Sequence, residues 1–137
     1  MKVRDVMTAA PIAVDPLAPM EAVARVMRDA DVGVVLVADP DQVYGLVTDR
    51  DLVVRALASG EDVRRADVST VCSARLAVVG PDEDMDAARR EMEAHGVRRL
   101  PVVQDGDVVG MVSLGDLAAA TEPDSTLGRI SSAPANQ

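Results

Sequence analysis

An internal repeat restricts this fold more than any other feature of the chain. Slid by 65 positions, the chain lies on itself without a gap. Val3 and Val6 fall on Val68 and Val71, and Val14 and Pro16 on Val79 and Pro81. Met20, Ala22, Arg25 and Met27 fall on Met85, Ala87, Arg90 and Met92. Val43, Gly45 and Val47 fall on Val108, Gly110 and Val112, and Asp51-Leu52 on Asp116-Leu117. Matches in this order identify two copies of one supersecondary unit. A single copy is too small to bury a comfortable core, so the two are expected to share one. The chain divides into a first repeat at 1–58, a linker at 59–67, a second repeat at 68–121 and a tail at 122–137. The tail has only Leu127 and Ile130 to bury and is expected to be flexible.

Within each copy the apolar period changes along the chain. "VRDVMT" reads as a short amphipathic helical turn and "IAV" (12–14) as a short strand, broken by Asp15-Pro16. Met20, Val23, Ala24 and Met27 then recur at helical spacing behind Pro19. "VVLVA" and "VYGLVT" read as two strands joined through the turn "DPDQ", and a helix is expected from about Asp49 to Ser59. The second copy predicts a strand at "LAVV", a helix over about 84–95, a hairpin turning at Asp105-Gly106 and a helix from about Leu114. The fold class is therefore α/β: two β-α-β-β-α repeats, expected to pack as a pseudo-twofold pair. The methionines at 20, 27, 85 and 92 are expected in the core.

Composition excludes several functions. The formal net charge is −9, which disfavours nucleic acid and anionic membranes as partners. Tyr44 is the only aromatic residue, so base stacking on aromatic platforms is nearly excluded. No apolar run approaches the roughly 18–20 residues that span a bilayer. One cysteine, Cys72, cannot form an intramolecular disulfide, which fits a cytoplasmic location. Cys72 matches Met7 in the repeat and reads as apolar packing, whereas His95, before Gly96, reads as a helix C-terminal residue. Their spacing offers no metal site, and the acidic clusters lack a nucleophile or base partner, so no enzyme is expected.

The two strand-to-helix junctions read G-L-V-T-D-R-D-L and G-M-V-S-L-G-D-L. Thr48-x-x-Asp51 and Ser113-x-x-Asp116 are good capping boxes, worth about 1 kcal/mol each. They also put a hydroxyl, a carboxylate and a helix N-terminus together, as a phosphate or diol ligand would require. The repeated G-x-x-[ST]-x-x-D, at the end of a β-hairpin, resembles the cystathionine-β-synthase (CBS) domain. The tandem arrangement resembles a Bateman module, and the nearest type is the small stand-alone two-CBS protein of actinobacteria, of the hypoxic-response kind.

The resemblance implies a regulatory protein that binds an adenine nucleotide (AMP, ADP or ATP) or another adenosyl ligand in the inter-repeat cleft. Asp51 and Asp116 would take ribose hydroxyls, and Thr48 and Ser113 a phosphate. Adenine would lie near Thr8 and Ile12, their repeat partners Ser73 and Ala77, and Val35 or Leu100. Arg98 and Arg99 stand where basic residues of nucleotide-sensing CBS proteins reach phosphates. Gly33 and Val34 replace them in the first copy, where Arg50 is a possible substitute. No obligatory cofactor is implied. A homodimer is expected, signalling in trans to an unknown regulated protein. The alternative is a ligand-independent interaction or scaffold module.

Overall fold

The computed structural model describes residues 1–73 and 77–134. Its elements are α1 (Val3–Val6), β1 (Thr8–Ala9), β2 (Ala13–Val14), α2 (Met20–Ala30), β3 (Val34–Ala38), β4 (Val43–Thr48) and α3 (Asp49–Asp51). They continue with α4 (Met85–His95), β5 (Arg99–Gln104), β6 (Asp107–Ser113), α5 (Leu114–Thr121) and α6 (Thr126–Ser132). A π-helical stretch, Leu52–Leu57, prolongs α3, and a 3-10 turn occupies Val68–Thr70. This is a mixed helix-and-sheet chain of two repeats, as the periodicity predicts. Of the strand expected at 76–79, Leu76 lies outside the described residues and Val79 makes a single parallel bridge to Val102.

Each copy is organised by its hairpin. In the first, β3 and β4 are antiparallel, and Asp39 closes the loop by accepting from the N–H groups of Asp41 (2.8 Å) and Gln42 (2.9 Å). The Tyr44 hydroxyl donates to the other Asp39 oxygen at 2.9 Å, so the one aromatic residue serves the turn. In the second, β5 and β6 turn through Asp105 (φ 52°) and Gly106 (φ 85°). Positive φ at both central residues is the type I′ geometry that matches strand twist. Both hairpins slip register at equivalent places, Val37/Ala38 and Val102/Val103.

The packing units differ from the sequence repeats. One compact unit is Ile12–Leu76; the other joins Met1–Pro11 to Ala77–Gln137. The short arm that begins each copy is therefore exchanged. Thr8 pairs with Met111 of β6, and its repeat equivalent Ser73 bridges to Leu46 of β4. Lys2 bridges to Asp84 before α4, and Asp67 to Pro19 before α2. The Val3 N–H donates to Glu83 O, and the Val68 N–H to Ala18 O, both at 2.9 Å. Residues 59–67, read as a linker, close the start of α2: Met20 N–H donates to Ala66 O (3.2 Å) and Glu21 N–H to Val63 O (2.9 Å). They satisfy donors that every helix start leaves open.

Each unit has its own core. Met20, Val23, Met27, Val35, Val37, Val47, Ala56, Val68 and Val71 form one. Val3, Val79, Ala88, Met92, Leu100, Val102, Val112 and Leu117 form the other, with Met85 partly buried against it. The arms thus supply core residues, Val68 and Val71 to the first and Val3 to the second. Where a flexible tail is expected, residues 126–132 form α6. Ser125 starts it by accepting from Gly128 N–H at 3.0 Å, and buried Gly128 lets it close on Glu122 and Pro123. Residues 135–137 of that expected tail lie outside the described residues.

Candidate functional site

The glycine of the second G-x-x-[ST]-x-x-D junction has a packing role. A Cβ on Gly110 would lie 2.6 Å from Met7 Sδ and 2.9 Å from the Thr8 carbonyl oxygen. The absence of a side chain lets the exchanged arm run along β6. The strand then delivers the hydroxyl residue to a helix start.

Both predicted capping boxes are formed. Thr48 N–H donates to Asp51 Oδ2 (2.9 Å) and Asp51 N–H returns to Thr48 Oγ1 (3.1 Å). In the second copy the same bonds join Ser113 N–H to Asp116 Oδ2 (2.8 Å) and Asp116 N–H to Ser113 Oγ (3.0 Å). Each box uses one carboxylate oxygen and leaves Oδ1 for another partner. Asp116 Oδ1 has no hydrogen-bond partner among the described residues. A half-buried carboxylate with one fixed and one open oxygen is a ready acceptor for a hydroxyl pair.

The first junction is furnished differently. Arg55, one turn on, pairs with Asp51 Oδ1 at 3.8 Å and donates to Val71 O at 3.3 Å. Asp49 Oδ1 accepts the N–H of Arg50 at 2.8 Å, so a carboxylate of the chain already sits at this helix start. The Arg50 side chain is exposed. At the second junction Leu114 replaces Asp49 and Gly115 replaces Arg50. A Cβ on Gly115 would collide with the Ser131 hydroxyl of α6.

Exchange of the arms regroups the other predicted residues. Thr8, Ala77, Arg98, Arg99, Leu100, Ser113 and Asp116 share one unit; Ile12, Val35, Thr48, Arg50, Asp51 and Ser73 share the other. Arg99 stands opposite Ser113 in the sheet, and Arg98 O accepts the Leu114 N–H at 2.9 Å. Both arginine side chains are exposed and have no ion-pair partner among the described residues. The arginines therefore flank the second junction in their own unit. Thr8 and Ser73 are exposed, and Ile12 and Ala77 are half-buried. Val35 and Leu100 are fully buried core residues, so a predicted adenine contact through either side chain conflicts with its packing role.

Cys72 and His95 keep structural roles. The Cys72 thiol donates to Ser69 O at 3.3 Å, and burial pushes its pKa up, which makes it a poor thiolate. His95 ends α4, with Nδ1 3.0 Å from Glu91 O, before Gly96 in the left-handed C-cap conformation. No helix among the described residues is long and apolar enough to cross a membrane.

Sequence reasoning missed Arg55, although its position four residues after Asp51 on a helix was a readable signal. Ser131 gave no such signal, because only the turn between α5 and α6 brings it to Gly115.

Comparison with known proteins agrees with this architecture. The CBS domain model matches residues 3–57 and again 68–122. The CBS domain-containing protein YhcV of Bacillus subtilis is 36% identical over 116 residues, covering 85% of this chain and 82% of that protein. Hypoxic response protein 1 of Mycobacterium tuberculosis is 33% identical over 116 residues, covering 84% of this chain and 81% of that protein. The solved structure of Hypoxic Response Protein I with two coordinated zinc ions superposes with a TM-score of 0.77 at 32% identity, over 86% of this chain and 97% of that one. The CBS domain pair of MJ0100, in complex with 5-methylthioadenosine and S-adenosyl-L-methionine, shares the fold with a TM-score of 0.78 at 20% identity, over 88% and 98% of the two chains. Among the described residues of this chain no three His, Cys, Asp or Glu side chains gather as a metal site requires. Two matched segments, two capping boxes and one repeated topology make this chain a tandem member of the CBS-domain family.

Proposed function

We propose that the protein is a cytoplasmic regulatory module that binds an adenine nucleotide or another adenosyl compound at its G-x-x-[ST]-x-x-D junctions. It acts as a homodimer and passes the signal in trans by changing its affinity for a protein partner. The observation that carries this reading is the second junction. Asp116 offers an open carboxylate oxygen on a fixed cap, and Arg98 and Arg99 stand beside Ser113. Ribose hydroxyls would donate to Asp116, and the guanidinium groups would meet phosphate, against the average field of a chain with net charge −9. The bound state of the MJ0100 pair supports the capacity of this fold for adenosyl compounds. The role proposed is binding and not catalysis.

The test is thermal unfolding and calorimetric titration with AMP, ADP, ATP, S-adenosylmethionine and NADH. A ligand at a hundredfold excess over Kd stabilises by about 2.7 kcal/mol, a rise of roughly 5–10 °C for a chain of this size. No shift and no heat from any of the five at millimolar concentration would refute the reading. The self-paired first junction favours a second role for that half, ligand-independent partner binding. Capture of the same partner with and without nucleotide supports it.

A further inference from the structure

We propose that Arg55 makes the two junctions unequal. By pairing with Asp51 Oδ1 it holds the first carboxylate, and it leaves Asp116 as the principal acceptor of ribose hydroxyls. The inference rests on the adenosyl-binding reading and adds to it which junction binds, and why.

Three observations support it. The two capping boxes are alike, so the cap itself does not distinguish Asp51 from Asp116. What differs is the partner of the outer oxygen: Arg55 at 3.8 Å for Asp51, and no group among the described residues for Asp116. Arg55 is also tethered. Its Nη1 donates to the carbonyl oxygen of Val71, on the arm packed into this unit, which keeps the guanidinium over Asp51. The repeat equivalent of Arg55 is Ala120, which carries no charge. An acid four residues before a base on a helix is the favourable orientation for such a pair. A ribose diol at the first junction must replace this cation; at the second it meets no such cation among the described residues. Arg55 is thus a positioning residue that acts through Asp51.

The test uses adenosine, which has the ribose and no phosphate, so the exposed arginines contribute little. Asp51→Asn and Asp116→Asn each keep a cap of the same shape. Calorimetry is expected to give weaker adenosine binding for Asp116→Asn than for Asp51→Asn. Adding Arg55→Ala to Asp116→Asn is expected to tighten binding about two- to fivefold, the range of an exposed to half-buried ion pair. Added to Asp51→Asn, the same change is expected to move Kd by less than twofold, because its partner is already gone. A purely structural role for Arg55 would move both backgrounds alike. If a variant does not fold, amide chemical shifts of the full-length wild type give the order: Gly115 and Asp116 are expected to respond at lower adenosine concentration than Arg50 and Asp51. Binding that is tighter at Asp51, or unmoved or weakened by Arg55→Ala in the Asp116→Asn background, overturns this assignment and leaves the adenosyl reading standing. No adenosine binding by either wild type or Arg55→Ala overturns this assignment, and the adenosyl reading falls with it only if AMP, ADP, ATP, S-adenosylmethionine and NADH are silent as well.

Discussion

Exchange of the arms has a direct consequence for where the chain can be cut. A fragment of residues 1–58 contains a whole sequence repeat, yet it lacks Val68 and Val71, which are 0% and 5% exposed in the core around Met20 and Val23. Burying a valine is worth about 1.5–3 kcal/mol, so the two contribute roughly 3–6 kcal/mol. The fragment also loses the Ala66 and Val63 carbonyls that cap the start of α2. A unit of about 65 residues has only some 3–10 kcal/mol of net stability, so the loss is comparable to the whole. Fragment 12–76 keeps these groups and omits only an arm that packs elsewhere. Far-UV circular dichroism with urea unfolding is the assay. Fragment 12–76 is expected to unfold cooperatively, and fragment 1–58 to lack a transition. In the full chain, Val68→Ala is expected to cost about 2 kcal/mol, against less than about 0.5 for the exposed Val53→Ala. A cooperative transition for 1–58 at or above the midpoint of 12–76 would refute the exchange.

Two further perturbations probe the frame of the site. Gly110→Ala sets a Cβ against the Thr8 carbonyl and Met7 Sδ, and is expected to cost about 1–3 kcal/mol and speed hydrogen exchange at Ala10, whose N–H donates to Val109 O at 3.3 Å; unchanged stability and exchange would contradict the close approach. The Asp39 carboxyl is held below its ordinary range by the Tyr44 hydroxyl first and the Gln42 and Asp41 N–H groups next. A depressed folded pKa gives stability that is fully present above the unfolded value, about 3.9, and is lost as pH falls through the lower folded value. Urea midpoints of Asp39→Asn are therefore expected to fall less steeply than wild type below about pH 4, and equal slopes would contradict the assignment.

What the sequence makes legible is local. The hairpins, the helix starts and both capping boxes depend on residues two to four positions apart, and Thr48-x-x-Asp51 and Ser113-x-x-Asp116 form as their spacing implies. The exchange of arms is not local. Thr8 and Ser73 are repeat equivalents, so pairing each arm with its own copy or with the other leaves the same pattern of apolar and polar positions. The π-helical stretch at Leu52–Leu57 is hidden for a related reason, because hydrogen-bond register within a helix leaves little trace in side-chain period. For α6, the composition of residues 122–134 masks the real signal, Ser125 as a helix cap, while Leu127 and Ile130 stay exposed. The inequality of the junctions was visible in Gly33 and Val34 at the repeat positions of Arg98 and Arg99, and in Arg55 four residues after Asp51; the Arg55 bond to Val71 O needed the fold.

The proposed function places an adenosyl compound at the second junction. An amide-resolved NMR titration of the full-length protein with AMP tests it most directly. Saturable shifts are expected, centred on Arg98, Arg99 and the stretch from Ser113 to Asp116, and abolished by Asp116→Ala. Silence at these residues at millimolar AMP and at millimolar S-adenosylmethionine, or saturable shifts confined to residues away from both junctions, would contradict it.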